Sequence, residues 1–176
     1  MLHAEPVRIE VRELSPDDWK LWRSLRLAAL TEAPSAFGSR LADWQGDGDR
    51  EDRWRHRLSI PGSYNIVATR DGTSAGMASG VPGDTTDVGE LISMWVTPSA
   101  RGHGVGDVLV QRVEQWAART AARVLRLNVA ADNPGAERLY RRHGFAYTGE
   151  DGPPMPDGAR QRVMAKDLQP LPGSPG

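Results

Sequence analysis

The chain contains no cysteine, which excludes disulfides, a thiolate nucleophile and any zinc site built on thiolates. It also lacks an excess of charge of either sign. Its 22 basic and 23 acidic residues leave a net charge of -1, with no Lys/Arg block. Nothing in the overall field points to nucleic acid or to an anionic membrane surface. No apolar run is long enough to span a bilayer, and the opening MLHAEPVRIEVRE has no signal-like hydrophobic stretch. No internal repeat is visible. The expectation is a cytoplasmic protein with no metal, no nucleic-acid partner and no membrane contact.

What is present suits a globular domain: 176 residues, 39% hydrophobic and 26% charged. One domain is expected over residues 1–168. The remaining 169–176, QPLPGSPG, holds three prolines and two glycines and reads as a disordered tail.

Val7, Ile9 and Val11 alternate with Arg8 and Glu10, the pattern of a half-buried strand. Ser15-Pro16-Asp17-Asp18 then reads as a helix start. Trp19, Trp22, Leu25 and Ala29 follow at helical spacing, so a helix should end before Pro34. A second helix is expected from about Glu51, with Trp54 and Leu58 four apart. Asp71-Gly72 between Ile66–Thr69 and Ala75–Val81 predicts a tight hairpin. Glu90 to Val96, ELISMWV, is too apolar for a strand wet on one face and reads as central. Val105, Val108, Leu109, Val113, Trp116 and Ala117 make a helical stripe, and Leu125, Leu127 and Val129 alternate as a strand. Strand, helix and strand in that order form a βαβ unit, which requires a parallel pair. Asn133-Pro134 opens a short helix stopped by Gly144, and Phe145–Tyr147 and Arg162–Leu168 read as closing strands.

The junction of the βαβ unit is Arg101-Gly-His-Gly-Val-Gly106. A glycine-rich turn opening a helix exposes backbone N–H groups beside the positive end of the helix dipole, which suits phosphate. A P-loop would need GxxxxGK[ST], and no glycine here precedes lysine. A dinucleotide fingerprint needs GxGxxG, but the third glycine falls on Asp107 or Leu109. Both nucleotide readings fail on spacing.

Arg101-x-x-Gly104-x-Gly106, preceded by Trp95-Val96-Thr97-Pro98, resembles the acetyl-CoA signature of the GNAT superfamily of N-acetyltransferases. Asn133-x-x-Ala136-x-x-Leu139-Tyr140-x-x-x-Gly144-Phe145 is similar to a second segment of that family. The likeness covers about residues 88 to 148. It implies an α/β fold with a mixed, mostly antiparallel central sheet, a splayed parallel strand pair and flanking helices. It also implies acetyl-CoA as co-substrate. The backbone of Gly102, His103, Gly104, Val105, Gly106 and Asp107 would cradle the pyrophosphate beside Arg101. That of Met94, Trp95 and Val96 would pair with the pantetheine arm, with Asn133 and Ala136 nearby. His103 is given no catalytic role.

The same resemblance suggests how the chemistry is divided. An N–H near Met94, at a bulge, would stabilise the developing oxyanion. Glu90, four residues before Met94, stands where the histone-acetylating branch has its glutamate and is the candidate base. Burial there would raise its pKa to a useful range; an exposed strand start is the plainer reading. The branch that acetylates protein N-termini has a glutamate where this chain has Asn128. Tyr140 matches the family's general acid, and a phenol of pKa about 10 can protonate a thiolate of pKa about 8.5. Asn133 also has a structural explanation as an N-cap.

The acceptor is the least legible part. Asp43–Asp52, DWQGDGDRED, could attract a cationic amine or could be a solvated loop leading into a helix. Phe37, Trp44 and Trp54 could line an acceptor wall, although tryptophan at helical spacing is more often core. A small-molecule amine is the expected acceptor. A protein N-terminus or lysine, and a non-catalytic acetyl-CoA-binding module, remain open alternatives, and a homodimer is possible by family analogy.

Overall fold

A computed structural model describes residues 5–169; the prolines and glycines expected to form a disordered tail lie, from residue 170 on, outside the described residues. One seven-stranded sheet carries the helices. In chain order the elements are β1 (Ile9–Glu13), α1 (Trp19–Glu32), α2 (Glu51–Leu58), β2 (Tyr64–Arg70), β3 (Thr73–Pro82), β4 (Val88–Val96), α3 (Val105–Arg119), β5 (Val124–Ala130), α4 (Pro134–Arg142), β6 (Ala146–Asp151) and β7 (Gln161–Asp167). The strand order is β1-β2-β3-β4-β5-β7-β6, so the apolar β4 is the middle strand. All pairings are antiparallel except β4 with β5. This is the mixed, mostly antiparallel α/β sheet the sequence implied.

Local chemistry explains most boundaries. Asp18 accepts the Ser15 N–H at 2.8 Å and so caps the turn leading into α1. Asp71 (φ 49°) and Gly72 (φ 81°) both take the left-handed conformation that a two-residue hairpin requires. Asn133 accepts the Ala136 N–H at 3.2 Å as N-cap of α4. Two sequence boundaries differ. Val7 lies ahead of β1 and is exposed, having no strand opposite it. Phe145 precedes β6, because the chain is still leaving α4 through Gly144 and the ring is needed edge-on against Tyr140, 5.9 Å away.

Each face of the sheet has its own core. On one face α3 packs Leu109, Val110, Val113 and Trp116 against Ile66, Ala78, Leu91 and Leu125. The small residues of β3 follow from this: a Cβ on Gly80 would collide with the Trp116 ring. On the other face α1 and α2 pack Trp22, Leu30, Trp54 and Leu58 against Val67, Met77 and Trp95. Trp22 and Trp54 are fully buried, and replacing either by Ala would cost about 3–5 kcal/mol.

Candidate active site

The site is organised by a fault in the middle of the sheet. β4 and β5 pair only through Val88–Glu90 opposite Val124–Arg126. Beyond Glu90 the strands part, and that edge of β4 has no strand partner. On its other edge β4 is irregular as well. Met77 faces Trp95 and Ser79 faces Ile92, so β4 holds one residue more than β3 between these pairs. The surplus sits at Ser93, whose φ of 53° is rare for a residue with a side chain. A bulge was expected near Met94; it is centred one residue earlier.

On the α3 side of this fault lies a cavity of about 800 Å³, in the size range of ligand pockets. Met94, Trp95, Val96, Arg101, Gly102, Gly104, Val105, Gly106, Asp107, Asn133, Ala136 and Tyr140 all line it. The first backbone bond of α3 runs from Val108 N–H to Gly104 O, 3.1 Å, and no described acceptor takes the N–H groups of Gly102 to Asp107. Those donors, with Arg138 and Arg142 in the lining, suit a polyanion such as the pyrophosphate of acetyl-CoA. The unpaired edge of β4 suits an extended arm.

The glycines have two separate reasons for being there. Gly102 (φ 77°) and Gly104 (φ 87°) supply backbone conformations that side chains rarely adopt, while no protein atom crowds either. Gly106 is a packing glycine: its Cβ would meet Leu139 of α4 at 3.0 Å.

Several loop side chains are engaged within the protein. Arg101 donates to Glu32 at 2.8 Å and to the Val96 carbonyl at 3.2 Å, and Glu32 also accepts from Trp95 Nε1 at 3.0 Å. The end of α1 is thereby tied to the glycine loop. His103 does not line the cavity; its ring lies 3.4 Å from Arg70. Asp107, a liability beside phosphate, is turned onto His143 (2.8 Å) and Arg142 (3.1 Å). Burial opposes its ionisation, yet these two bonds outweigh it and hold the carboxyl below the usual range. Tyr140 is buried, and burial alone raises its pKa well above that of a free phenol, so it keeps its proton.

Glu90 lies elsewhere, in a second cavity of about 720 Å³ between β4, β5 and the α1–α2 side. It is half-buried. Burial, and then the neighbouring Asp84, raise its pKa, while Arg126 pulls the other way. Phe37, Trp44, Trp54 and Asn128 line this cavity too. The two cavities have Ala36 and Phe37 in common; Tyr140 lines the first and Glu90 the second. The acids of Asp43–Asp52 are not in either lining. Asp49 holds Arg23 and Trp54, and Glu51 holds Arg55.

Sequence reasoning missed Arg26, Arg57 and Ser93. Arg57 of α2 donates to Asn65 Oδ1 (3.1 Å), Ser79 Oγ (3.1 Å) and Ser93 Oγ (3.0 Å), one residue from each of three adjacent strands. It thus fastens the bulge residue to α2. An arginine in a basic helical run carries no local sign of such a role.

The family model described as acetyltransferase (GNAT) family matches residues 21–145. An IAA acetyltransferase of Azospirillum brasilense is 34% identical over 100 residues, 57% of this chain and 65% of the relative. A mycothiol acetyltransferase of Cellulomonas flavigena is 27% identical over 97% of this chain and 51% of its own length. The chain therefore spans only about half to two thirds of these relatives. A Salmonella typhimurium protein, yncA, solved with its cofactor acetyl-CoA, superposes with a TM-score of 0.73 at 21% identity, covering 96% of this chain and 98% of that one.

Proposed function

This chain belongs to the GNAT acetyltransferase family, and we propose that it moves the acetyl group of acetyl-CoA to the primary amine of a small molecule. The observation that carries this reading is the pair of neighbouring cavities that share Ala36 and Phe37 in their walls. One offers free N–H donors for a phosphate-bearing ligand; the other is an aromatic-walled space with a half-buried carboxyl. A second cavity of about 720 Å³ suits a small acceptor. Residues 1–168 would form the catalytic domain, and a cytoplasmic setting fits it.

When bound, acetyl-CoA supplies the acyl carbon and the thiolate leaving group. The N–H groups of Gly102–Asp107 hold its pyrophosphate, and the open edge of β4 at Met94–Val96 aligns its arm. A backbone N–H at the bulge, by Met94, donates to the acyl oxygen as negative charge builds there. Glu90 takes a proton from the acceptor amine, directly or through one water. A carboxyl with a raised pKa is a stronger base than an ordinary one at neutral pH. As the amine nitrogen bonded to the acyl carbon and the carbon–sulfur bond broke, Tyr140 O–H would give its proton to the departing sulfur. Glu90 would then release its proton to solvent and Tyr140 would regain one from solvent, leaving amide, thiol and both residues as they began.

Thiol release from acetyl-CoA with a panel of small amines tests the reading. Release with at least one amine is expected. Tight acetyl-CoA binding without release for any amine would instead make the chain a sensor of acetyl-CoA.

A further inference from the structure

The α1–α2 cavity is lined by two groups with a donor short of an acceptor, Arg26 and Trp22, and by a further arginine, Arg57, without a counter-charge. Arg26 of α1 is 9% exposed, and its Nη1 has no partner among the described residues. Trp22 Nε1 is likewise buried without one. Arg57 bonds only neutral oxygens, and no carboxylate among the described residues pairs with Arg26 or Arg57. Both arginines and Trp22 line the cavity. Ring faces give partial compensation: the Arg26 guanidinium lies 4.7 Å from the Phe37 centroid and that of Arg57 5.0 Å from Trp22. A buried cation without a counter-charge is unfavourable.

We propose that the acceptor amine also bears a carboxylate, and that Arg26 and Arg57 bind it. The inference rests on the α1–α2 cavity being the acceptor site. A carboxylate only accepts hydrogen bonds and carries the counter-charge that both arginines lack, and its geometry matches the guanidinium fork. Burial draws both arginines down to about 10, and at Arg26 the proximity of Arg57 adds to it, yet both remain cationic at neutral pH. The other charges in the cavity fit a zwitterion as well. Arg126 is matched by Glu150 at 2.6 Å and Asp151 by Arg160 at 2.8 Å. Asp84 and Glu90, without ion pairs among the described residues, are left for the amine end. Arg57 also touches Ser93 of the bulge, so a carboxylate on it keeps a short acceptor close to the acyl group.

The test pairs each of a series of amino acids with its carboxamide, on the full chain. Thiol release is measured, together with the thermal shift each compound gives the CoA-loaded protein. For at least one pair the acid should be preferred by about tenfold or more. Arg26→Gln should bring that preference towards unity; it gives up the Phe37 ring contact but no Nη1 hydrogen bond. Arg57→Gln should do the same, and if it does not fold, Arg26→Gln alone decides. No acid preferred over its amide in release or in thermal shift, or a preference that Arg26→Gln leaves intact, overturns the proposal. Release with amides or simple amines only would reject the carboxylate site and keep the acetyltransferase. Binding of acids without release would do the reverse.

Discussion

The two cavities on either side of β4 are alike in size, about 800 and about 720 Å³, but they are made of different materials. The α3-side cavity is a backbone site: unpaired N–H groups at the start of a helix, an unpaired strand edge, and glycines at φ 77° and 87°. The α1–α2 cavity is a side-chain site, with donors and acids from α1, α2, β4 and β5 meeting across long sequence separations. Backbone sites hold what all members of a family share, because amide groups are the same in every sequence. Side-chain sites can be changed one residue at a time. On the proposed function the first would therefore carry the cofactor, and the second whatever is particular to this chain.

If that division is right, substitutions on the two sides should fail differently. The largest effect is expected at Glu90. Glu90→Gln should lower turnover about a hundredfold and remove the acid limb of the pH profile, without altering CoA affinity. Steady-state rates across pH check this, and an intact limb would remove Glu90 as base. Tyr140→Phe should lower turnover about ten- to a hundredfold, also with CoA affinity retained; unchanged turnover would leave the ring as packing against Phe145. Gly104→Val attacks the backbone site itself. At φ 87° a side chain costs about 1–2 kcal/mol, so CoA affinity measured by calorimetry should fall about tenfold while acceptor preference stays as it was. No protein atom crowds that position, so strain and not collision with the protein would be the cause.

A smaller effect tests the electrostatics of the side-chain site alone. Asp84 contributes to the raised pKa of Glu90 after burial does, and Arg126 opposes it. Asp84→Asn should therefore move the acid limb of turnover to lower pH, and Arg126→Gln should move it to higher pH. A limb that stayed still in both variants would detach it from Glu90.

The same division explains what could be read from the sequence. Strands, helices and the hairpin came from period and turn residues, each spanning a few neighbours in the chain. The glycine loop, Asn133 and Tyr140 lie in two short segments whose spacing is itself the motif. Ser93 carries no such sign, because its left-handed backbone is imposed by the register of β3 and held by Arg57. Arg26 and Arg57 lie in helical stretches where arginine usually faces water; their burial depends on Phe37, Trp22 and three strands arriving from elsewhere. Glu32, which binds both Arg101 and Trp95, sits more than sixty residues before its partners.

The acidic stretch Asp43–Asp52 marks the edge of this comparison, since its charge suggested an attraction for cationic acceptors. The structure gives it structural work instead. The Arg23 hydrogen bonds, then that of Trp54, pull Asp49 down to about 2. A carboxyl whose folded pKa is depressed stabilises the fold above its unfolded value, near pH 4, and that contribution is lost as pH falls through about 2. Asp49→Asn should therefore lower the melting temperature at neutral pH and flatten its fall between about pH 4 and pH 2. Acceptor KM should not change, because Asp49 lines neither cavity. A KM that rose for cationic amines, with the melting curve unmoved, would return this stretch to the acceptor site and blur the line between the two regions.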